Sequence, residues 1–230
     1  MTEHPLNCDA RTALAIYEGR QTQDRRPLTK RRAVCDSAAF DSLDFSVARL
    51  DGGGAYLHAY RVEDDTWHRV FSRIQPRDVV WIREAHYVCD CGATWDTPGE
   101  PLPLDTDYAI AYWASDDGDE LSECMWHTAP QGSDALAVDE ERLRASIHMP
   151  RWACRSLRRV TRVWFERFQD ISANDAIAEG FLCAGDSGTE FSGRVRAVSA
   201  FRKELEAIYP GAWDENGWVV AIEFEEAASA

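Results

Sequence analysis

The side chains best equipped for chemistry cluster near the start of the chain. Residues 19–32 (GRQTQDRRPLTKRR) hold Arg20, Arg25, Arg26 and three further cations against one acid, Asp24. Of the 25 basic residues in the sequence, all but Lys30 and Lys203 are arginine. A guanidinium is a planar, permanently charged fork that grips phosphate and stacks on bases, so phosphate contact is the chemistry this segment suggests. Gln21 and Thr22 add polar contacts beside the arginines. A second cationic run, residues 142–167, carries eight arginines against Glu166. Within it Arg151 and Trp152 pair a cation with an indole, a surface suited to single-stranded bases. Trp81 and Trp164 are expected in the core.

Acid–base chemistry has fewer candidates. Glu179, in the segment DAIAEG (175–180), and Asp24 are the one pair that could move protons for a hydrolytic reaction. Asp24, among Arg20, Arg25 and Arg26, is expected to stay ionised and paired. The competing arrangement is structural: Arg25 and Arg26 pair with Glu84 or Glu179 and organise the core rather than a ligand. Cys89-x-Cys91 and Cys124-x-x-His127 bracket an acidic stretch and supply four zinc-type ligands, with His86 as an alternative. The Cys-x-Cys spacing is tighter than usual, so buried thiols are the default and no metal or other cofactor is expected. His148 is a lone imidazole, expected to make a structural hydrogen bond. No P-loop, dinucleotide-binding glycine fingerprint or Gly-x-Ser-x-Gly elbow occurs.

Charge is segregated along the chain. The formal net charge is −15, yet residues 85–141 hold fourteen acids and no Lys or Arg. The remainder has 25 basic and 26 acidic residues, so local fields say more about partners than the total does. At 230 residues, 45% hydrophobic and 11% aromatic, the chain can bury a proper core. No run approaches the ~18–20 apolar residues needed to span a bilayer, and the start lacks a secretory pattern. Seven cysteines, an odd number, then suggest a reducing, cytoplasmic setting with mostly free thiols.

These residues must be positioned by an α+β arrangement. A helix is expected from Asp9 to Glu18, capped by Asp9 and stopped by Gly19, followed at once by the basic segment as a loop. Strand-like runs 45–50 and 55–61 flank Asp51-Gly52-Gly53-Gly54 and read as a hairpin. VVWIRE (79–84), SLRRVTRVWFERF (156–168) and WVVAIEF (218–224) read as further strands. Over the strand stretch 155–162, Arg155 and Arg159 fall on one face and Arg158 and Arg162 on the other. Ser172 and Asp175 form a capping-box start for a short helix ending at Gly180. Val195, Val198, Phe201, Leu205 and Ile208 recur at helical spacing up to Pro210-Gly211. The acidic stretch reads as a polar, irregular insertion around one strand, 107–114, forming a solvated lobe able to engage a basic protein partner.

The order helix–GRxTxxRR–strand–RDVVWIRE–insertion–SIHMPRW–strand–ISxxDAIAEG–helix–IYPG–WVVAIEF resembles the ASCH family of PUA-like domains, in the long form of phages and prophages. The likeness covers roughly residues 9–84 and 145–224. It rests on Gly19 to Arg26, Trp81 to Glu84, Ser146 to Trp152 and Asp175 to Gly180. It implies one domain over 1–230, a small mixed β-barrel with flanking helices, interrupted by an acidic insertion at about 85–144. It also implies binding of RNA or a modified nucleotide or nucleoside in a cleft beside the first-helix loop. Some small members resemble amidohydrolases of acetylcytidine and use a Lys, a Thr and a Glu. Glu179 matches that Glu, whereas Gln21 stands at the Lys position and Asp24 at the Thr position, so the catalytic set is incomplete. The expected ligand contacts are therefore Arg20, Gln21, Thr22, Arg25, Arg26, Arg151 and Trp152, with Glu179 and Asp24 catalytic only if the protein is an enzyme.

Overall fold

Asp9 closes the open end of the first helix: its carboxylate accepts from the Thr12 N–H at 2.8 Å, satisfying one of the unpaired amides of the first turn. Gly19, at φ +74°, ends that helix in a conformation that favours glycine. A computed structural model describes residues 1–36, 38–89, 107–113, 125–130, 139–181 and 190–227. In chain order the regular elements are β1 (Glu3–Asn7), α1 (Ala10–Tyr17), β2 (Gln23–Pro27), β3 (Ala33–Cys35), β4 (Asp44–Asp51), β5 (Tyr56–Arg61), β6 (Thr66–Ser72) and β7 (Val79–Arg83). There follow β8 (His86–Cys89), β9 (Asp107–Tyr112), β10 (Met125–Thr128), β11 (Asp139–Arg144), β12 (Leu157–Arg167), α2 (Ala173–Ala178), α3 (Glu190–Ile208), α4 (Ala212–Glu215) and β13 (Trp218–Glu226). The class is mixed α+β, dominated by sheet. Among the described residues no sheet closes into a barrel. No helix there is long and apolar enough to cross a membrane.

The chain forms two compact units. The first comprises Met1, Arg20–Asp78 and Arg159–Ala230; the second comprises Thr2–Gly19 and Val79–Arg158. In the first unit, β13 lies between β12 and β2 and runs antiparallel to β2 with Arg25 opposite Ala221. The segment expected as a basic loop is thus partly a strand. Its charged residues suit a strand because their charges are paired, as described below. A second sheet has the order β3-β6-β5-β4, and the hairpin expected at residues 51–54 joins β4 to β5 there. Helices α2 and α3 bury Ala176, Ala197, Phe201 and Leu205 with Phe168, Ile171 and Val219. Each large apolar side chain so buried contributes about 1.5–3 kcal/mol.

In the second unit, β1 runs parallel to β7 with Pro5 opposite Trp81. The acidic segment is more regular than its composition suggests: β8 to β11 form a four-stranded antiparallel sheet in the order β10-β9-β8-β11. Of these only β9 is legible in the sequence, because β8 and β10 span four residues each and β11 (DEERLR) is almost wholly charged. This sheet has its own core of Val88, Ile110, Tyr112, Ala129, Met149 and Ala153. The expectation of an irregular solvated lobe is therefore corrected for the described part of the insertion.

Candidate functional site

Arg25 is held at the centre of an ionic cluster in the first unit. On a strand, alternate side chains share a face, so Gln23 and Arg25 of β2 project together. Ala221, directly opposite on β13, is fully buried and adds only a methyl group, which leaves room for a guanidinium to cross it. Arg25 thereby reaches Glu166 of β12, to which its Nε donates. Its Nη1 donates to Gln23 Oε1 at 2.8 Å and to Glu179 Oε1 at 2.9 Å. Asp175 Oδ1 lies 3.4 Å from Nη2. Trp164 flanks the guanidinium at 5.3 Å and donates its indole N–H to Glu166 Oε2 at 2.8 Å, which fixes that carboxylate.

The two acids from α2 owe their positions to local rules. Ser172 and Asp175 make the expected capping box, and Gly180 at φ +84° follows the helix. The Thr22 N–H donates to the Ala178 carbonyl at 2.8 Å, tying the segment before β2 to the end of α2. Burial pushes the Glu179 carboxyl up to about 7 against the pull of Arg25, and Asp24 adds to the rise. For Asp175 the Ser172 hydrogen bonds and Arg25 outweigh partial burial and hold the carboxyl below its ordinary range. Despite the cost of burial, Glu179 and Glu166 hold the Arg25 guanidinium more firmly protonated than usual. Three carboxylates surround this one guanidinium, so Arg25 has no side left open for an external anion.

The remaining expected ligand residues are distributed as follows. Arg26 donates to Asp24 through Nε at 2.7 Å and Nη2 at 3.3 Å, so Asp24 is paired as expected. Gln21 is buried and its amide donates to the Gln23 carbonyl at 2.9 Å. Thr22 is exposed and Arg20 half-buried. Arg151 and Trp152 belong to the second unit. Arg151 makes a two-pronged bond to Glu3 at 2.6 and 3.1 Å, and Trp152 packs against the core formed around Val88. The assignment of Arg25 as a phosphate contact is thereby corrected: its side chain is fully buried and bound by acids of its own chain. Arg26 and Arg151 likewise already hold carboxylates.

Arginines of β12 behave differently from one another. Arg158 is buried and donates to the Ile16 carbonyl, closing the end of α1. Arg159 pairs with Glu225 at the surface. Arg162 is exposed, lies 4.6 Å over the Trp164 ring, and has no carboxylate within ion-pair distance among the described residues. It was legible only as one member of an arginine-bearing strand face.

A second buried ion pair, in the other unit, was not anticipated in this form. Glu84 is completely buried and accepts from Arg155 at 3.0 and 2.8 Å. The rings of Tyr17 and Tyr112 each stand 4.2 Å from the Arg155 guanidinium. Burial raises the Glu84 carboxyl against the pull of Arg155. Tyr112 donates its hydroxyl to the Ala153 carbonyl at 2.7 Å and meets His127 Nε2 at 2.5 Å. Burial pushes the Tyr112 phenol up and the His127 imidazole down. The zinc set Cys89, Cys91, Cys124 and His127 falls largely outside the described residues; within them His127 is engaged by Tyr112. Among the described residues, Cys8, Cys35 and Cys154 form no disulfide.

A cavity of about 620 Å³ lies in the first unit, lined by Phe45, Arg167, Tyr209 and Trp218 among others, and none of the cluster around Arg25 lines it. Comparison with models of known protein families, with curated proteins and with solved structures gave no match.

Proposed function

We propose that this is an ASCH-type, PUA-like protein whose first unit binds RNA or a modified nucleotide. The observation that carries the reading is the exposed Arg162 guanidinium stacked on Trp164, a cation with no carboxylate within ion-pair distance among the described residues and backed by an aromatic ring. Such a guanidinium suits phosphate contact, the buried Trp164 ring holding it in place. Trp164 is in turn braced by Arg25 and Glu166, so the buried cluster serves as the support of the contact face rather than as the phosphate clamp. Two segments that carry the family resemblance meet in this unit: Thr22 and Arg25, of the motif Gly19 to Arg26, contact Ala178 and Glu179, of the motif Asp175 to Gly180, which supports the same assignment. The test is fluorescence anisotropy with single-stranded RNA over a salt series. Arg162→Ala weakens binding and lowers the salt slope by about 1, as expected for one lost phosphate contact. An unchanged affinity and slope removes the reading.

One observation favours a second reading, hydrolysis of an acylated nucleoside or of RNA. Glu179 holds its proton up to about neutral pH and follows Ala178, whose carbonyl is bonded to the Thr22 amide, and Thr22 is exposed. A carboxyl poised near 7 is equipped for general acid–base work. Release of acetate from acetylcytidine, or cleavage of single-stranded RNA, that disappears in Glu179→Gln would support this reading; neither reaction by the wild type would end it. A basic protein partner for the acidic insertion concerns residues that are mostly outside those described.

A further inference from the structure

In the first unit β3 pairs with β6 so that Cys35 faces Val70. His68, two residues before Val70, projects on the same side of the sheet, diagonal to Cys35. Asp36 follows Cys35 directly. Sγ of Cys35, a carboxylate oxygen of Asp36 and an imidazole nitrogen of His68 all lie within 4.8 Å of one another. Asp64, in the turn before β6, brings Oδ2 to 3.5 Å from His68 Nε2.

We propose that Cys35, Asp36 and His68 bind a divalent ion of the zinc class, with Asp64 or water in the fourth position. The donor set decides the ion: thiolate with imidazole and carboxylate selects zinc over magnesium or calcium, which prefer oxygen alone. The spacing agrees. Ligands at about 2.0–2.3 Å from a tetrahedral zinc stand roughly 3.3–3.6 Å from one another. Cys35 Sγ is 3.8 Å from Asp36 Oδ1, and the His68–Asp64 separation is 3.5 Å, both close to that spacing. Arg69 Nε lies 3.2 Å from Asp36 Oδ2, and Arg61 binds Asp64, so both carboxylates have outer partners of the kind that orient metal ligands. Thr66 Oγ1, 2.7 Å from His68 Nε2, must turn away as the ion binds. This site is separate in sequence from the Cys89–His127 set, and the proposal does not depend on the nucleotide reading.

The experiment uses untagged full-length protein and two probes, cobalt(II) and zinc alone. Cobalt is expected to give a thiolate-to-metal charge-transfer band together with the intense visible bands of a tetrahedral site. The charge-transfer intensity falls by one thiolate's share in Cys35→Ser. Zinc is expected to slow alkylation of Cys35, read by peptide mass spectrometry, by about tenfold or more, and His68→Gln abolishes that protection. Cys8→Ser and Cys154→Ser leave both signals unchanged. The alkylation readout is made on wild-type protein, so it holds even if a variant folds poorly. Equal labelling of wild-type Cys35 with and without zinc overturns the proposal, as does a cobalt spectrum identical in wild type and a folded Cys35→Ser.

Discussion

Arg25 and Glu179 stand 154 positions apart in sequence and meet at 2.9 Å, both with buried side chains. Neither can be removed alone without leaving a charge or a proton stranded in the interior. Arg25→Met is therefore expected to destabilise the protein by about 3–5 kcal/mol, because Glu166 and Glu179 lose their shared cation. The double substitution Arg25→Met, Glu179→Met should recover part of that loss. Urea denaturation of wild type and these two variants measures both effects.

The proton on Glu179 makes stability depend on pH. Its folded pKa lies above the ordinary carboxyl value, so between that value and about 7 the folded state binds more protons than the unfolded one. The contribution is fully present below the ordinary carboxyl range and is lost as pH rises through about 7. Wild type should lose more stability than Glu179→Gln on going from pH 5 to pH 8, with denaturation midpoints at the two pH values as the readout. An equal loss in both proteins contradicts this assignment.

Arg155 sits between two tyrosine rings and bonds Glu84 through two nitrogens. Lysine keeps the charge but supplies neither the fork nor the flat cation that the rings enclose. Arg155→Lys is expected to cost about 2–3 kcal/mol, the scale of a hydrogen bond to a charged partner. Thermal unfolding, together with the tyrosine absorbance of the variant, tests it.

Ser172 accepts from the Asp175 amide and Asp175 returns a bond to the Ser172 amide. Ser172→Ala should cost about 1 kcal/mol. It should also weaken the hold on Asp175, whose carboxyl then titrates closer to its ordinary range, a change that carboxyl NMR titration resolves.

What could be read from sequence was what local rules decide. Asp9, Ser172 and Asp175 announce their helices because capping needs only neighbours, and the glycines of 51–54 announce their hairpin for the same reason. Charge partners could not be read this way. Arg25 with Glu179 was one of the pairings considered, yet Glu84 takes Arg155 instead and Glu166 joins Arg25 from 141 positions away. Those choices are made by sheet register, and register depends on the whole fold. GRQTQDRRP carries no apolar alternation and so reads as a loop; β2 is a strand whose buried charges are paired. The sheet of the acidic segment was hidden by the opposite problem: its few apolar residues, such as Val88 and Ile110, are diluted by acidic turns.

The position of β13 bears on how the protein is made. This strand lies between β12 and β2, yet it is synthesised after both. Until residues 218–226 have emerged from the ribosome, β2 lacks its sheet neighbour and the nascent chain carries an incomplete first unit. That unit can therefore be completed only after β13 has been synthesised, and the exposed edge of β2 is the segment a chaperone would have to cover in the interval.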